Sequence, residues 1–198
     1  MEKNIRFISQ IIVIFFVLNF VSYSQTKTNL EIFNTLVDSS VVKINDVLAP
    51  GENQVRLNFN SGSAYNVFQN QVIYSFQKLG KKVNKDSGEV ITYSIESASV
   101  NYGDMFRDGF LGSFYLPRNL KLTGNYSVEK GTINAGKFNI AFADTVAVDS
   151  VYGLENSSFP FTKGEIPSEP FFSSLLGPVV AIGSAAVAVI LFFTVRSK

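Results

Sequence analysis

Residues 120–148, "LKLTGNYSVEKGTINAGKFNIAFADTVAV", indicate a β-hairpin and decide the fold class. Apolar side chains alternate along both arms, and Glu129, Lys130 and Gly131 form the turn between them. A period of two is typical of strands that bury one face. We predict one continuous first arm and a long or broken second arm. The alternating residues are Leu120, Leu122, Tyr126 and Val128, then Phe138, Ile140, Phe142, Val146 and Val148.

The stretch before the hairpin begins with a helix. In residues 28–51, apolar side chains recur at helical spacing and make one stripe. Thr28 and Glu31 have the spacing of a capping box, and Pro50 with Gly51 ends the pattern. The stripe consists of Leu30, Phe33, Val37, Val41, Ile44 and Leu48.

A strand, a second helix and a second strand follow. Residues 53–60 alternate, residues 64–80 return to helical spacing, and residues 90–102 alternate again. The alternation slips by one residue near Glu96 and Ser97, which predicts a β-bulge. The sequence therefore predicts an α+β domain, with two amphipathic helices on one face of a mixed or antiparallel sheet of about four or five strands.

Both ends of the chain are apolar. Residues 175–195 carry no charge, and a helix of that length spans about 30 Å, the thickness of a bilayer's hydrocarbon core. Residues 1–24 combine Lys3 and Arg6 with an apolar stretch and a small-residue site, which is typical of a cleaved secretory signal. We expect an exported domain at 25–152, a Pro/Gly/Ser linker at 153–174, a transmembrane helix at 175–195 and a cytoplasmic basic tail at 196–198.

This organisation predicts a single-pass membrane protein with its folded domain in the periplasm or outside the cell. Arg196 and Lys198 follow the positive-inside rule, and we expect a bacterial inner membrane. The formal net charge of +1 gives no reason to expect a nucleic-acid partner.

The composition excludes several kinds of catalysis. The chain has no His and no Cys, so a Ser-His-Asp triad, a thiolate nucleophile and a Cys/His zinc site cannot form within it. Ser75 and Lys78 match the S-x-x-K pattern, but its partner motifs are missing. The pairs Asp104/Asp108 and Asp144/Asp149 have no supporting residues, and we interpret them as solvated acids. We therefore predict no catalytic, cofactor or metal site and a protein that is not an enzyme.

Two stretches are candidates for contact with a partner. The apolar segment 102–117 has no clean period, so it either folds into the core or docks on another envelope protein or the membrane face. Small residues four apart in the C-terminal helix would let two membrane helices approach closely. The candidate partner contacts are Met105, Phe106, Phe110, Leu111, Phe114 and Tyr115, and the candidate helix contacts are Gly177, Ala181 and Ala185.

The order "LVDSSVVKINDVL", "VRLNF", "VFQNQVIYSFQKLG" and "VITYSIESASV" within residues 30–100 resembles periplasmic domains of curli-secretion and flagellar-accessory outer-membrane proteins. That resemblance implies a non-catalytic assembly role. Ser168, Glu169 and Pro170 before the apolar span are similar in layout to exosortase-type sorting signals, which implies a cleavable tail.

We predict a membrane-anchored envelope protein that acts as a binding, assembly or scaffold component, with another envelope protein as partner. The alternatives are a surface protein sorted through a cleaved C-terminal signal and a small module that binds a ligand.

Overall fold

The computed structural model describes residues 26–49, 51, 53–109, 112–169 and 171–195, and within the last helix the side chains of residues 177–194. The predicted signal at 1–24, the tail at 196–198, and Phe110 and Leu111 lie outside these residues. The helices are α1 (Asn29–Asn45), α2 (Gln69–Lys78), α3 (Val151–Leu154) and α4 (Phe171–Val195). The strands are β1 (Gln54–Phe59), β2 (Lys82–Val83), β3 (Glu89–Tyr102), β4 (Phe106–Arg107), β5 (Phe114–Lys130) and β6 (Thr132–Ala147).

The predicted fold class is confirmed as α+β, and the described sheet has six strands. β1 lies parallel to β2 on one side and to β3 on the other, while β5 lies antiparallel to β3, β4 and β6. The two strands of two residues, β2 and β4, account for the difference from the predicted four or five.

Helix α1 begins as the sequence predicts. Thr28 accepts a hydrogen bond from the Glu31 backbone N–H, and the Glu31 carboxylate accepts one from the Thr28 N–H at 2.7 Å. The Thr28 backbone N–H and the Thr28 hydroxyl, which donates to the same carboxylate at 3.0 Å, lower the pKa of the Glu31 carboxyl, because both bonds favour its charged form. The buried stripe of α1 packs over β5 and β6.

The predicted bulge in β3 is confirmed. The pairing of β3 with β5 shifts register between Ile95 and Ser97. The extra residue restores the apolar face, so Ala98 and Val100 are buried after Ile95. The second arm of the hairpin is unbroken, since β6 pairs with β5 along its whole length.

Glycine has a steric role in this long pairing. A Cβ on Gly124 would lie 2.2 Å from the Ser94 carbonyl oxygen and 2.3 Å from the Phe138 ring. Gly136 lies opposite Tyr126, whose ring covers it, and a Cβ there would lie 2.5 Å from the ring. Only glycine allows these aromatic rings to lie this close to the sheet.

The segment expected to be linker from residue 153 packs onto the domain over its first part. Leu154 and Thr162 are buried, and Phe161 packs against Phe33 of α1 with ring centroids 5.6 Å apart. Its Pro, Gly and Ser content predicted a loose chain, but α3 and a 3-10 turn at Pro160–Thr162 place its apolar residues against the core. After this turn, residues 163–169 have neither helix nor strand.

Candidate functional site

The C-terminal helix α4 is long, apolar and exposed. The window Gly177–Thr194 has a mean hydropathy of 2.1, and none of it is buried. By length and composition it could cross a membrane. The helix begins at Phe171, four residues before the predicted start at 175, so Pro178 lies inside it.

The polar and small residues of α4 suit a lipid environment. The Ser184 hydroxyl donates to the Ala181 carbonyl at 2.9 Å, and the Thr194 hydroxyl donates to the Ile190 carbonyl at 2.7 Å. Both hydroxyls are therefore satisfied within the helix, as hydrocarbon requires. The side chains of Ala181 and Ala185 are exposed, as is Gly177, so these predicted helix contacts are accessible.

The apolar segment 102–117 divides between the core and the surface. It forms a small hairpin in which Phe106 pairs with Tyr115 across β4 and β5. Met105 is buried at 7% exposure, whereas Phe106 is 47% exposed and stacks on Tyr115 with centroids 6.1 Å apart. The structure therefore assigns Met105 to the core and leaves Phe106 on the surface.

A cation lies on the Phe114 ring of the same hairpin. The Arg107 guanidinium is 4.3 Å from the Phe114 ring centroid, which is cation–π geometry. Arg107 and Phe114 are also paired residues of β4 and β5. The described part of the hairpin thus presents aromatic rings together with a positive charge.

The least expected feature is a buried arginine. Arg118 of β5 has no solvent-exposed surface, and its guanidinium makes two bonds to the Asp144 carboxylate of β6. Nε donates to Oδ1 at 2.9 Å and Nη2 donates to Oδ2 at 2.6 Å. Because this pair is bidentate, Asp144 is not the solvated acid that the sequence predicted, and its side chain is only 28% exposed.

Arg118 also holds the start of α1. Its Nη1 donates to the Lys27 carbonyl at 3.0 Å and to Asn29 Oδ1 at 2.7 Å. Asn29 is itself buried and donates from Nδ2 to the Tyr102 hydroxyl at 3.1 Å and to the Thr162 carbonyl at 2.8 Å.

The network ends on Glu155, in the segment that leaves the domain. The Glu155 carboxylate accepts from the Tyr102 hydroxyl at 3.2 Å and from the Gly164 backbone N–H at 3.0 Å. Burial raises the pKa of the Tyr102 hydroxyl, so it remains a neutral donor. One hydrogen-bonded network therefore joins Lys27, at the N-terminal side of the domain, to Gly164, at its C-terminal side.

The sequence signal for this network was the position of Arg118. Its neighbours on the same face of the strand are Leu116 and Leu120, both fully buried. A charged residue on the buried face of a strand predicts a buried partner for its charge. The partner itself could not be named from the sequence, because Asp144 lies on another strand.

The S-x-x-K match at Ser75 and Lys78 receives no geometric support from the surroundings of Ser75. Ser75 is 3% exposed, and its hydroxyl contacts the Asp38 carboxylate and the Gln71 carbonyl. Gln71 also donates to Asp38 at 2.6 Å, so this cluster joins α2 to α1. These hydrogen bonds hold the two helices together.

The acids Asp104, Asp108 and Asp149 are exposed. Among the residues that the structure describes, no group of three or more His, Cys, Asp or Glu could hold a metal ion.

Comparison with known proteins identifies no family. No protein-family model matches the sequence, and no curated protein matches it. A minor lipoprotein from Acinetobacter baumannii is 13% identical with a TM-score of 0.33, and the match covers 50% of this chain and 68% of that one. The rare lipoprotein B from Shewanella oneidensis is 11% identical with a TM-score of 0.32, and the match covers 71% and 95%. The resemblance to curli-secretion and flagellar-accessory proteins stays a prediction.

Proposed function

We propose that this chain is a single-pass membrane protein of the cell envelope, with a non-enzymatic role in binding or assembly. Its α+β domain lies on the periplasmic or extracellular side of the bacterial inner membrane. The observation that carries the proposal is the exposure of α4, because all of Gly177–Thr194 is apolar or internally bonded and none of it is buried.

Water is an unfavourable surrounding for this helix. Ile182, Ile190 and Phe193 are between 64% and 71% exposed. Burying one such side chain in an apolar phase is worth about 1.5–3 kcal/mol. A bilayer would cover all of them at once, as well as the valines between them.

The domain is held close to its anchor. Because the network around Arg118 fixes Gly164 and Ile166 packs against the core, only residues 167–170 separate the domain from the start of α4. Four residues reach about 14 Å when fully extended. That distance is shorter than the predicted linker of residues 153–174 would allow.

The exposed hairpin lies at this end of the domain. Gly103 follows Tyr102 directly and its N–H bonds to the Pro117 carbonyl at 2.8 Å. Tyr102 in turn covers Gly164, where a Cβ would lie 2.9 Å from the ring. We propose that Phe106, Phe114 and Tyr115, at the membrane-proximal end, contact another envelope protein beside the bilayer.

The test is cross-linking in intact cells followed by purification of the full chain in detergent. Phe106→Glu places a charge on the hairpin without disturbing a buried side chain. Tyr152→Glu is the matched control, because Tyr152 is 82% exposed on α3. We expect Phe106→Glu to lose the cross-linked partner and Tyr152→Glu to retain it. Equal recovery of the partner by both variants, with native circular dichroism, would remove the hairpin from the proposal.

A cleaved tail is the second candidate, and one sequence feature favours it. Ser168, Glu169 and Pro170 stand directly before α4, the layout of a sorting signal. The intact mass of the mature chain decides between the two. A mass that includes residues 171–198 supports a permanent anchor, and a mass ending before residue 171 supports sorting.

A further inference from the structure

The edge of the sheet at β1 is only partly covered. β2 pairs with β1 at Gln54 and Val55 and no further, and the chain leaves after the Asn84 N–H bonds to the Val55 carbonyl at 2.9 Å. On the β2 side of β1, residues 56–59 therefore have no strand beside them among the residues that the structure describes, while β3 pairs with them on the other side.

The direction of the backbone groups on this edge follows from the bonds that β2 makes. The carbonyls of Asn53 and Val55 face β2, since they accept from Lys82 and Asn84. Backbone groups alternate sides along a strand, so the N–H and C=O groups of Leu57 and Phe59 point the same way. On that side no described backbone group bonds to them. An unpaired edge of this kind is a template for another strand.

A groove of about 570 Å³ runs along the uncovered edge between β1 and α2. Its apolar lining consists of Leu57 of β1, Ile73 of α2, Val83 of β2 and Val90 of β3. Arg56 and Lys85 also line it, both are exposed, and the lining contains no carboxylate. No described acid forms an ion pair with either cation.

We propose that this groove binds an extended acidic peptide segment of a partner protein by β-strand addition. The peptide backbone pairs with Leu57 and Phe59, its alternate apolar side chains contact Ile73, and its carboxylates face Arg56 and Lys85. This is the edge-strand mode of peptide recognition, in which main-chain bonds give affinity and side chains give specificity. The proposal does not depend on the membrane anchor or on the hairpin at 102–117.

The positive charge of the groove favours an acidic peptide over a second copy of the chain. Two copies paired through the same edge would place Arg56 and Lys85 of one beside those of the other. Like charges across an interface are unfavourable, whereas an acidic strand neutralises both cations.

The test uses the full chain in detergent and the heptapeptide TVEVEVT-amide, with tetramethylrhodamine on its N-terminus and its carboxylates on one face. Its lysine counterpart, TVKVKVT-amide with the same N-terminal label, is the charge control. We expect anisotropy to show saturable binding of the acidic peptide and none of the basic one. The double variant Arg56→Glu, Lys85→Glu should weaken binding by about tenfold or more, since each lost surface ion pair is worth up to about 1 kcal/mol and reversal adds repulsion.

Two further measurements separate the proposal from non-specific charge attraction. Lys121→Glu reverses an exposed charge on β5, beyond β3, and should leave binding unchanged. Hydrogen exchange should show protection of the Leu57 and Phe59 amides when the acidic peptide is bound.

Three results of the peptide-binding experiments would overturn the proposal. They are the absence of saturable binding, equal weakening by Lys121→Glu, and binding without protection of these amides. Self-association that the double variant strengthens would show that the edge accepts a second copy, which also contradicts it.

Discussion

Replacing Asp144 by asparagine should destabilise the domain strongly. Arg118 is completely buried and donates to Asp144, Lys27 and Asn29 through three nitrogens. Asparagine keeps the shape of Asp144 but removes its charge and one of its two acceptors. A buried guanidinium without its counter-charge is costly, because the interior cannot replace the lost solvation.

The expected magnitude follows from the burial of the two partners. Breaking a fully buried pair costs about 3–5 kcal/mol. The Asp144 side chain is 28% exposed, so water reaches part of the site, and we expect Asp144→Asn to cost about 3 kcal/mol. Arg118→Met should cost about 1–3 kcal/mol, because Asp144 can then be hydrated while Asn29 loses a donor.

The double variant Arg118→Met, Asp144→Asn completes a double-mutant cycle for the charge pair. It should cost less than the sum of its two single variants by about 1–2 kcal/mol, because no unpaired charge remains. Asp149→Asn is the matched control; this exposed acid follows β6 closely, and its replacement should stay within about 0.5 kcal/mol.

The assay is urea unfolding of the full chain in detergent at neutral pH, monitored by circular dichroism. Equal effects of Asp144→Asn and Asp149→Asn would refute the reasoning, as would strict additivity in the double variant.

Three further variants test the local packing. Gly124→Ala should destabilise the domain by about 1–3 kcal/mol, because its Cβ would lie 2.2 Å from the Ser94 carbonyl; the unfolding midpoint measures this, and an unchanged midpoint would contradict it. Thr28→Ala should cost about 1 kcal/mol through the lost helix cap, again by unfolding. Glu31→Gln should remove a pH-dependent part of the stability. Folding lowers the pKa of the Glu31 carboxyl, so this group stabilises the folded domain at a pH above its unfolded-state pKa. That stabilisation disappears as the pH falls through the folded-state pKa. Identical pH profiles of the unfolding free energy for variant and parent would contradict this.

The local elements were predictable because their signals are local. Thr28 and Glu31 are three residues apart, and their capping box fixes the start of α1. The bulge of β3 was visible as a one-residue slip in the alternation at Ile95–Ser97. Each of these patterns depends on side chains that are neighbours in the chain.

The polar network was not predictable because its members are distant in the chain. Asn29 bonds to Tyr102 and Arg118, and Glu155 bonds to Tyr102, so four separate elements must fold before the contacts exist. The same reason explains why residues 153–162 were predicted to be linker. Their composition indicates a loose chain, and only the packing of Phe161 on Phe33 shows that they belong to the domain.

The C-terminal helix is long and apolar enough to cross a membrane, but these properties do not fix a direction of insertion. The mean hydropathy of 2.1 over Gly177–Thr194 reports length and composition only. The charged residues that predict orientation, Arg196 and Lys198, lie outside the described residues. The topology therefore rests on the positive-inside rule.

The most direct test of this topology uses single cysteines, since the chain contains none. Ser158→Cys labels an exposed site in the domain, and Ser197→Cys labels the tail beyond the helix. With a membrane-impermeant maleimide on spheroplasts, we expect Ser158→Cys to react at once and Ser197→Cys to react only after the membrane is permeabilised. Reaction of both before permeabilisation, or of Ser197→Cys alone, would contradict a single span with the domain outside.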